Sequence, residues 1–261
     1  MLKLRSICLN DNVSNTTNPC SSLNNNTTAA FAHYDGSMYT SFFYANDNDN
    51  AYIWFMYGTV GSSDYASTHA NTNKSTILTN LETWHKNNLA SYEDKLADTI
   101  WCNDKSTVSG GLGYGTNDTY YGACNRLITT KQPTLIYSDN NNGGKLYKFT
   151  VSDTTNGNGN LTYKVGLLTA DELAFAGYMF NENNNTVYLL ENATSISWWT
   201  LSPAEFLADG GVDIWGVIGG NGRPSGSYVG NTYGVRSSIS LKQSITISGG
   251  TVTSEDPYVV N

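Results

Sequence analysis

Apolar positions at three- and four-residue spacing mark one strong helix. Ile77, Leu78, Leu81, Trp84, His85, Leu89, Tyr92 and Leu96 fall on a single face, which predicts an amphipathic helix from about Lys74 to Leu96. A second, short helix is signalled by its ends. Thr169 stands three residues before Glu172, the spacing of a capping box in which each side chain satisfies the other's backbone N–H. Leu173, Ala174 and Phe175 follow, and Gly177 supplies a left-handed stop. The remaining apolar segments are short. SMYTSFFYA and AYIWFMYGTV, separated by the turn NDNDN, predict strands over residues 37–60. So do TVYLL, SISWWTLS, GVDIWGVIG, YGVRSSISLK and SITISGG nearer the C-terminus. Residues 103–145 form long connections rich in Gly, Asn and Tyr, with one apolar run at PTLIY. Residues 1–36 are an Asn/Thr-rich N-terminal segment with weak patterning, and residues 37–261 read as one domain. Short strands, two helices and long ordered loops give an α+β class.

Composition narrows the functions available. Lys and Arg number 14 against 22 Asp and Glu, a net charge of −8. The arginines are Arg5, Arg126, Arg223 and Arg236, too few and too scattered for the clustered cations that a phosphate backbone needs. Nucleic acid is therefore not an expected partner. Charged residues make up only 14% of the chain, against about 25% in ordinary globular domains. Polarity comes instead from Asn, Thr, Ser and 18 Tyr. That mixture suits a loop-rich protein that recognises by hydrogen bonding and aromatic contact. No apolar run reaches the roughly 18 residues of a membrane span, so this segment is not expected to contact a membrane. MLKLRSICLNDN lacks the apolar core of a signal peptide. This leaves a cytoplasmic protein, or an exported one whose export or anchor segment this chain does not carry.

Cysteine spacing bears on that choice. Cys8 and Cys20 lie 12 apart, and Cys102 and Cys124 lie 22 apart. Two short-loop disulfides are the expected arrangement, with reduced structural thiols and a metal site as alternatives. CxxC spacing is absent and no His stands within a few residues of a Cys, so neither a metal nor a cofactor is expected. His85, on the helix stripe beside Trp84, is expected to be packed and hydrogen-bonded. His69 reads as a loop-bracing or capping residue. G-x-S-x-G, a phosphate loop and a dinucleotide fingerprint are all missing. Paired carboxylates could cleave a glycoside: Asp171 with Glu172, or a pair from Glu205, Asp209 and Asp213, which read as a polar loop. Glu172 is already explained by the capping box. Asp47, Asp49 and Asp139 are explained by Asn/Asp turns as well as by calcium.

Several blocks then stand together: HANTNKSTILTNLETWHKNNL, WCNDKS, LTYKVGLLTADELAFAG, WWTLSP, YGVRSSISLK and ISGGTVTSEDPYVV. As a set this series resembles domains of surface and pilin-like proteins from gut Firmicutes. The resemblance implies a C-type-lectin-like fold, in the branch related to formylglycine-generating enzyme. That enzyme binds copper through a late pair of cysteines, and here no cysteine follows Cys124, so its oxidative activity is not implied. Ser237 stands where a Pro usually follows Gly-Val-Arg.

Members of this branch include the variable proteins of diversity-generating retroelements, whose exposed C-terminal positions form a ligand-binding face. The corresponding place here is residues 203–235. Phe206, Asp209, Asp213, Trp215, Asn221, Arg223, Ser225, Tyr228 and Asn231 are accordingly expected to form one exposed patch. Trp198 and Val217 are expected to be core. The resulting expectation is a non-enzymatic, extracellular or cell-surface adhesin-type module for a protein or glycan ligand. A carbohydrate-active hydrolase and a structural pilin subunit are the alternatives.

Overall fold

The computed structural model describes residues 2–3, 55–58, 70–110, 118–137, 146–180, 182, 197–207, 212–228, 233–251, 256 and 259–260. The strands expected over 37–45 and in TVYLL, the boundary at 36/37, and Cys8, Cys20, His69, Asp209 and Asn231 lie outside them. The described elements give an α+β architecture of antiparallel sheets with few helices.

The first helix forms on the expected stripe but ends earlier. Helix α1 spans Thr76–Asn88, with Ser75 as N-cap accepting from the Leu78 N–H. Asn88 Nδ2 donates to the Trp84 carbonyl, satisfying one of the acceptors that a helix end leaves open. The chain then tightens into a 3-10 turn over Ala90–Lys95. Ile77, Leu78, Leu81, Trp84, His85, Leu89 and Leu96 are all buried. His85 is packed as expected, its ring stacked on Tyr163 at 5.1 Å. It is not hydrogen-bonded among the described residues; its nearest charged neighbour is Glu93, at 3.4 Å.

The main sheet has five antiparallel strands. In spatial order they are β10 (Arg223–Tyr228), β9 (Val212–Ile218), β8 (Trp198–Phe206), β6 (Thr119–Tyr121) and β5 (Thr107–Gly110). Smaller antiparallel pairings accompany it. β2 (Met56–Tyr57) pairs with β3 (Asn73–Lys74), and β4 (Trp101–Asp104) with β7 (Leu146–Phe149). Near the C-terminus β12 (Val259–Val260) pairs with both β1 (Leu2–Lys3) and β11 (Ile247–Gly249).

Both faces of the main sheet are covered. Trp199, Leu201, Phe206 and Ile214 join α1, Phe55, Trp101 and Phe149 in one core. Trp215 and Ala204 pack with Ala123 and Cys124, while Trp198 and Val217 pack with Leu173 and Tyr178. Trp198 and Val217 are thus core, as expected.

The block YGVRSSISLK does not form a continuous strand. It crosses from one element to the next, bridging Trp198 at Gly234, Gly166 at Ser238 and Leu96 at Leu241. Its backbone bonds go to partners remote in sequence, so its alternation of apolar residues reflects successive docking sites and not one ladder.

Helix α3 (Ala170–Phe175) carries the complete capping box between Thr169 and Glu172. Gly177, at φ 98°, ends it. A short helix α2 (Gly122–Cys124) continues as a π turn over Asn125–Thr129. Arg126 ties these pieces together. Its Nε and Nη2 donate to Asp171, and its Nη1 to Asp104, each at 2.8 Å. Asp171 is 0% exposed and also accepts from the Thr134 N–H. Burial alone would lower the guanidinium's pKa, but the hydrogen bonds and charges of both carboxylates hold it above its ordinary value. Removing the cation strands two desolvated carboxylates, a change that typically costs about 3–5 kcal/mol. Arg126→Met should therefore lower unfolding free energy by about that amount, as read from urea denaturation followed by tryptophan fluorescence.

Candidate functional site

The residues expected to make one exposed patch are distributed over the core and two opposite ends of a hairpin. Phe206 is 0% exposed and Trp215 is 1% exposed, so both are core and not surface. Trp215 meets Phe180 edge-to-face at 5.5 Å. The reason is the double cover of the sheet: where both faces are packed, a strand carries consecutive buried residues, as Ile214, Trp215 and Val217 do. Irregularities between Trp199 and Pro203 and between Pro203 and Glu205 further disturb the alternation of β8.

At the turn end of the β9–β10 hairpin, Arg223 is exposed and pairs in register with Ile218. Asn221 Oδ1 accepts from the Arg223 N–H at 3.1 Å and so fixes the turn. Ser225 is half-buried, its hydroxyl donating to the Gly226 carbonyl. Among the described strands β10 lies at the edge of the sheet.

At the other end lies Asp213. It and Glu205 are strand residues, not members of a polar loop, and they face each other directly across β8 and β9. Tyr120 pairs with Glu205 on the next strand, and the backbone of Tyr228 pairs with Asp213. Tyr120, Glu205, Asp213 and Tyr228 therefore occupy one transverse row across β6, β8, β9 and β10. Directly opposed residues in antiparallel strands have Cβ atoms about 4.5–5.5 Å apart, close enough for the carboxylates to feel each other. Burial, then the charge of Glu205, pushes the Asp213 carboxyl up to about 7. Burial and Asp118 push Glu205 upward too, and the Glu205 charge raises the Tyr120 hydroxyl. Asp213 Oδ1 is buried with no hydrogen-bond partner among the described residues. Gly226 makes room for it, since a Cβ there would stand 3.1 Å from Asp213 Oδ2.

Ile218 lies five positions beyond Asp213 along β9, about 17 Å at the rise of a strand. The acidic row and the Arg223 turn are thus separate surfaces. Tyr120 was not among the expected site residues, because nothing local in TYYGAC ties it to a strand eighty residues away. Asp171 belongs to the Arg126 clamp, and Glu172 to its capping box, so neither is available as an acid or base.

The expected Cys102–Cys124 bridge is not formed. Both are free thiols: Cys102 lies opposite Lys148 on the β4–β7 pair, and Cys124 Sγ donates to the Ala204 carbonyl at 2.9 Å. Burial pushes their pKa values up to about 11 and about 12 respectively, which keeps them protonated and unreactive. Among the described residues no group of three or more His, Cys, Asp or Glu is placed to hold a metal ion. No described helix is long and apolar enough to cross a membrane.

The raised Asp213 carboxyl makes stability depend on pH. The folded state holds this proton more tightly than the unfolded chain, whose Asp titrates near 3.9. The corresponding stabilisation is complete below that value and is lost as pH rises through about 7. Asp213→Asn stays neutral throughout. Its melting temperature relative to the parent should rise between about pH 4 and about pH 8.5, by about 2–4 °C for each kcal/mol of linkage, as measured by differential scanning calorimetry.

No protein-family model, curated protein or solved structure matches the chain.

Proposed function

We propose that this chain is a ligand-binding module with a C-type-lectin-like fold, displayed outside the cell as an adhesin or receptor and carrying no chemistry of its own. Its ligand is a protein or a glycan. The observation that supports this reading is the β9–β10 hairpin: Arg223 is exposed on an edge strand, its turn fixed by Asn221, on a sheet anchored by buried Trp198, Trp199 and Trp215. A rigid sheet presenting an Arg fork and hydroxyls loses little entropy on binding. Screening the purified chain on glycan and protein arrays should give saturable binding, weakened about tenfold or more by Arg223→Glu. Binding unchanged by that substitution would remove the hairpin from the site. Self-assembly without any saturable ligand would make the chain a structural pilin-type subunit.

If residues 203–235 are diversified by a retroelement, the variable positions are those outside the core, such as Asn221, Arg223 and Ser225. Phe206 and Trp215 would stay fixed. Sequencing the DNA beside the gene should then reveal a near-copy of this segment, differing at adenines coding for those positions, next to a reverse transcriptase. A near-copy with differences at the Phe206 and Trp215 codons would contradict this division.

A second reading is favoured by the Glu205–Asp213 pair. Opposed carboxylates, one of them raised to about 7, are what a retaining glycosidase uses as acid and nucleophile. Hydrolysis of an aryl glycoside panel, abolished by Asp213→Asn with the unfolding midpoint not lowered, would establish it over the binding module. No turnover by the parent chain across the panel would dismiss it.

A further inference from the structure

The interior holds a second cationic group that is treated very differently from Arg126. Arg236 is 4% exposed, and its Nε, Nη1 and Nη2 are all buried without a hydrogen-bond partner among the described residues. Its guanidinium lies over the Trp198 ring, 4.8 Å from the centroid. Tyr178, 3% exposed, meets the same indole edge-to-face at 6.3 Å. The Tyr178 hydroxyl and Trp198 Nε1 are likewise buried without partners among the described residues.

What these groups share is their polarity. A guanidinium and an indole N–H can only donate, and a phenol donates readily. Burial pushes the Tyr178 hydroxyl up to about 12 and lowers the Arg236 guanidinium only to about 10, so at neutral pH one keeps its proton and the other its charge. No carboxylate among the described residues pairs with Arg236. Buried donors are almost always satisfied, and a buried cation whose neighbours are an indole N–H and a phenol, with no carboxylate, calls for an anionic acceptor.

We propose that Arg236, Tyr178 and Trp198 form an enclosed binding site for a carboxylate anion. The indole occupies one face of the guanidinium, leaving its in-plane fork, which matches the two oxygens of a carboxylate. Gly234 bridges Trp198 and Val235 is buried, so Arg236 is held against this indole by the backbone on its N-terminal side. The inference does not rest on the hairpin reading, since Arg223 takes no part in it.

The test is thermal unfolding of the full chain, refolded into sodium acetate or sodium chloride at equal ionic strength. Acetate should raise the melting temperature saturably. Tyr178→Phe removes a hydroxyl with no internal partner, so its melting temperature in chloride should equal or exceed the parent's. Its apparent acetate affinity should fall about tenfold or more, the usual loss of one hydrogen bond to a charged group. Arg236→Lys, which keeps the charge but loses the fork, should lose the acetate response as well, while Arg223→Glu should keep it. Coincident melting of the parent in acetate and chloride would overturn the proposal. So would a Tyr178→Phe variant with the parent's acetate dependence, or a larger shift with inorganic phosphate than with acetate at equal concentration.

Discussion

The layer that covers one face of the main sheet depends on the clamp that Arg126 makes with Asp171 and Asp104. The three groups come from a π turn, a short helix and a strand, all distant in sequence. None of these pieces is long enough to hold its place by its own hydrogen bonds, because helices of one or two turns are marginal in water. Asp171 is completely buried, and its Arg partner supplies two parallel N–H bonds while the Thr134 N–H supplies a third. Satisfaction is what makes such an interaction hold: buried charges are tolerated when their bonding capacity is filled. Since α3 also hangs from β8 through the Ala170 N–H to Ser202 Oγ bond, the clamp sets the layer that covers Trp198 and Trp215.

That covering layer explains where polar function can and cannot sit. A sheet packed on both faces has surface only at its edges and strand ends. Arg223 and Asn221 occupy one end of the β9–β10 hairpin, and the Glu205–Asp213 row occupies the other. At the acidic end the cover is incomplete, because Asp213 is half-buried and Gly226 beside it presents no side chain. Partial burial is the condition that raises a carboxyl without neutralising it outright. The two ends therefore stand about 17 Å apart along the hairpin, too far for one small-molecule pocket to hold both Arg223 and Asp213.

What could be read from the sequence was what is decided locally. The Thr169–Glu172 box and Gly177 stop involve neighbours in the chain, and they form as their spacing dictates. The α1 stripe was visible for the same reason, although Asn88 ends the helix before its apolar period runs out. Long-range arrangements were not visible. Residues 233–242 alternate like a strand yet dock successively on β8, Gly166 and Leu96. Phe206 and Trp215 sit in an Asn/Gly-rich region that looks like an exposed surface. Trp215 is buried by α2, α3 and Phe180, and Phe206 by the cluster that includes α1 and Phe149, none of which a local pattern connects to them.

A chain with only 14% charged residues still places Arg126, Lys105 and Arg236 in the interior among its described residues, and the contrast among them is instructive. Arg126 has two carboxylates. Lys105 is 1% exposed and lies over the Tyr147 ring at 4.3 Å, and burial pushes its ammonium well below its ordinary range. Arg236 has no carboxylate partner among the described residues. An aromatic face offers a cation about 2 kcal/mol when desolvated, short of the several kcal/mol that burying an ion demands. Nor can a guanidinium readily shed its proton, for even its lowered value stays near 10. Arg236 is therefore the interior charge that the described side chains leave unbalanced.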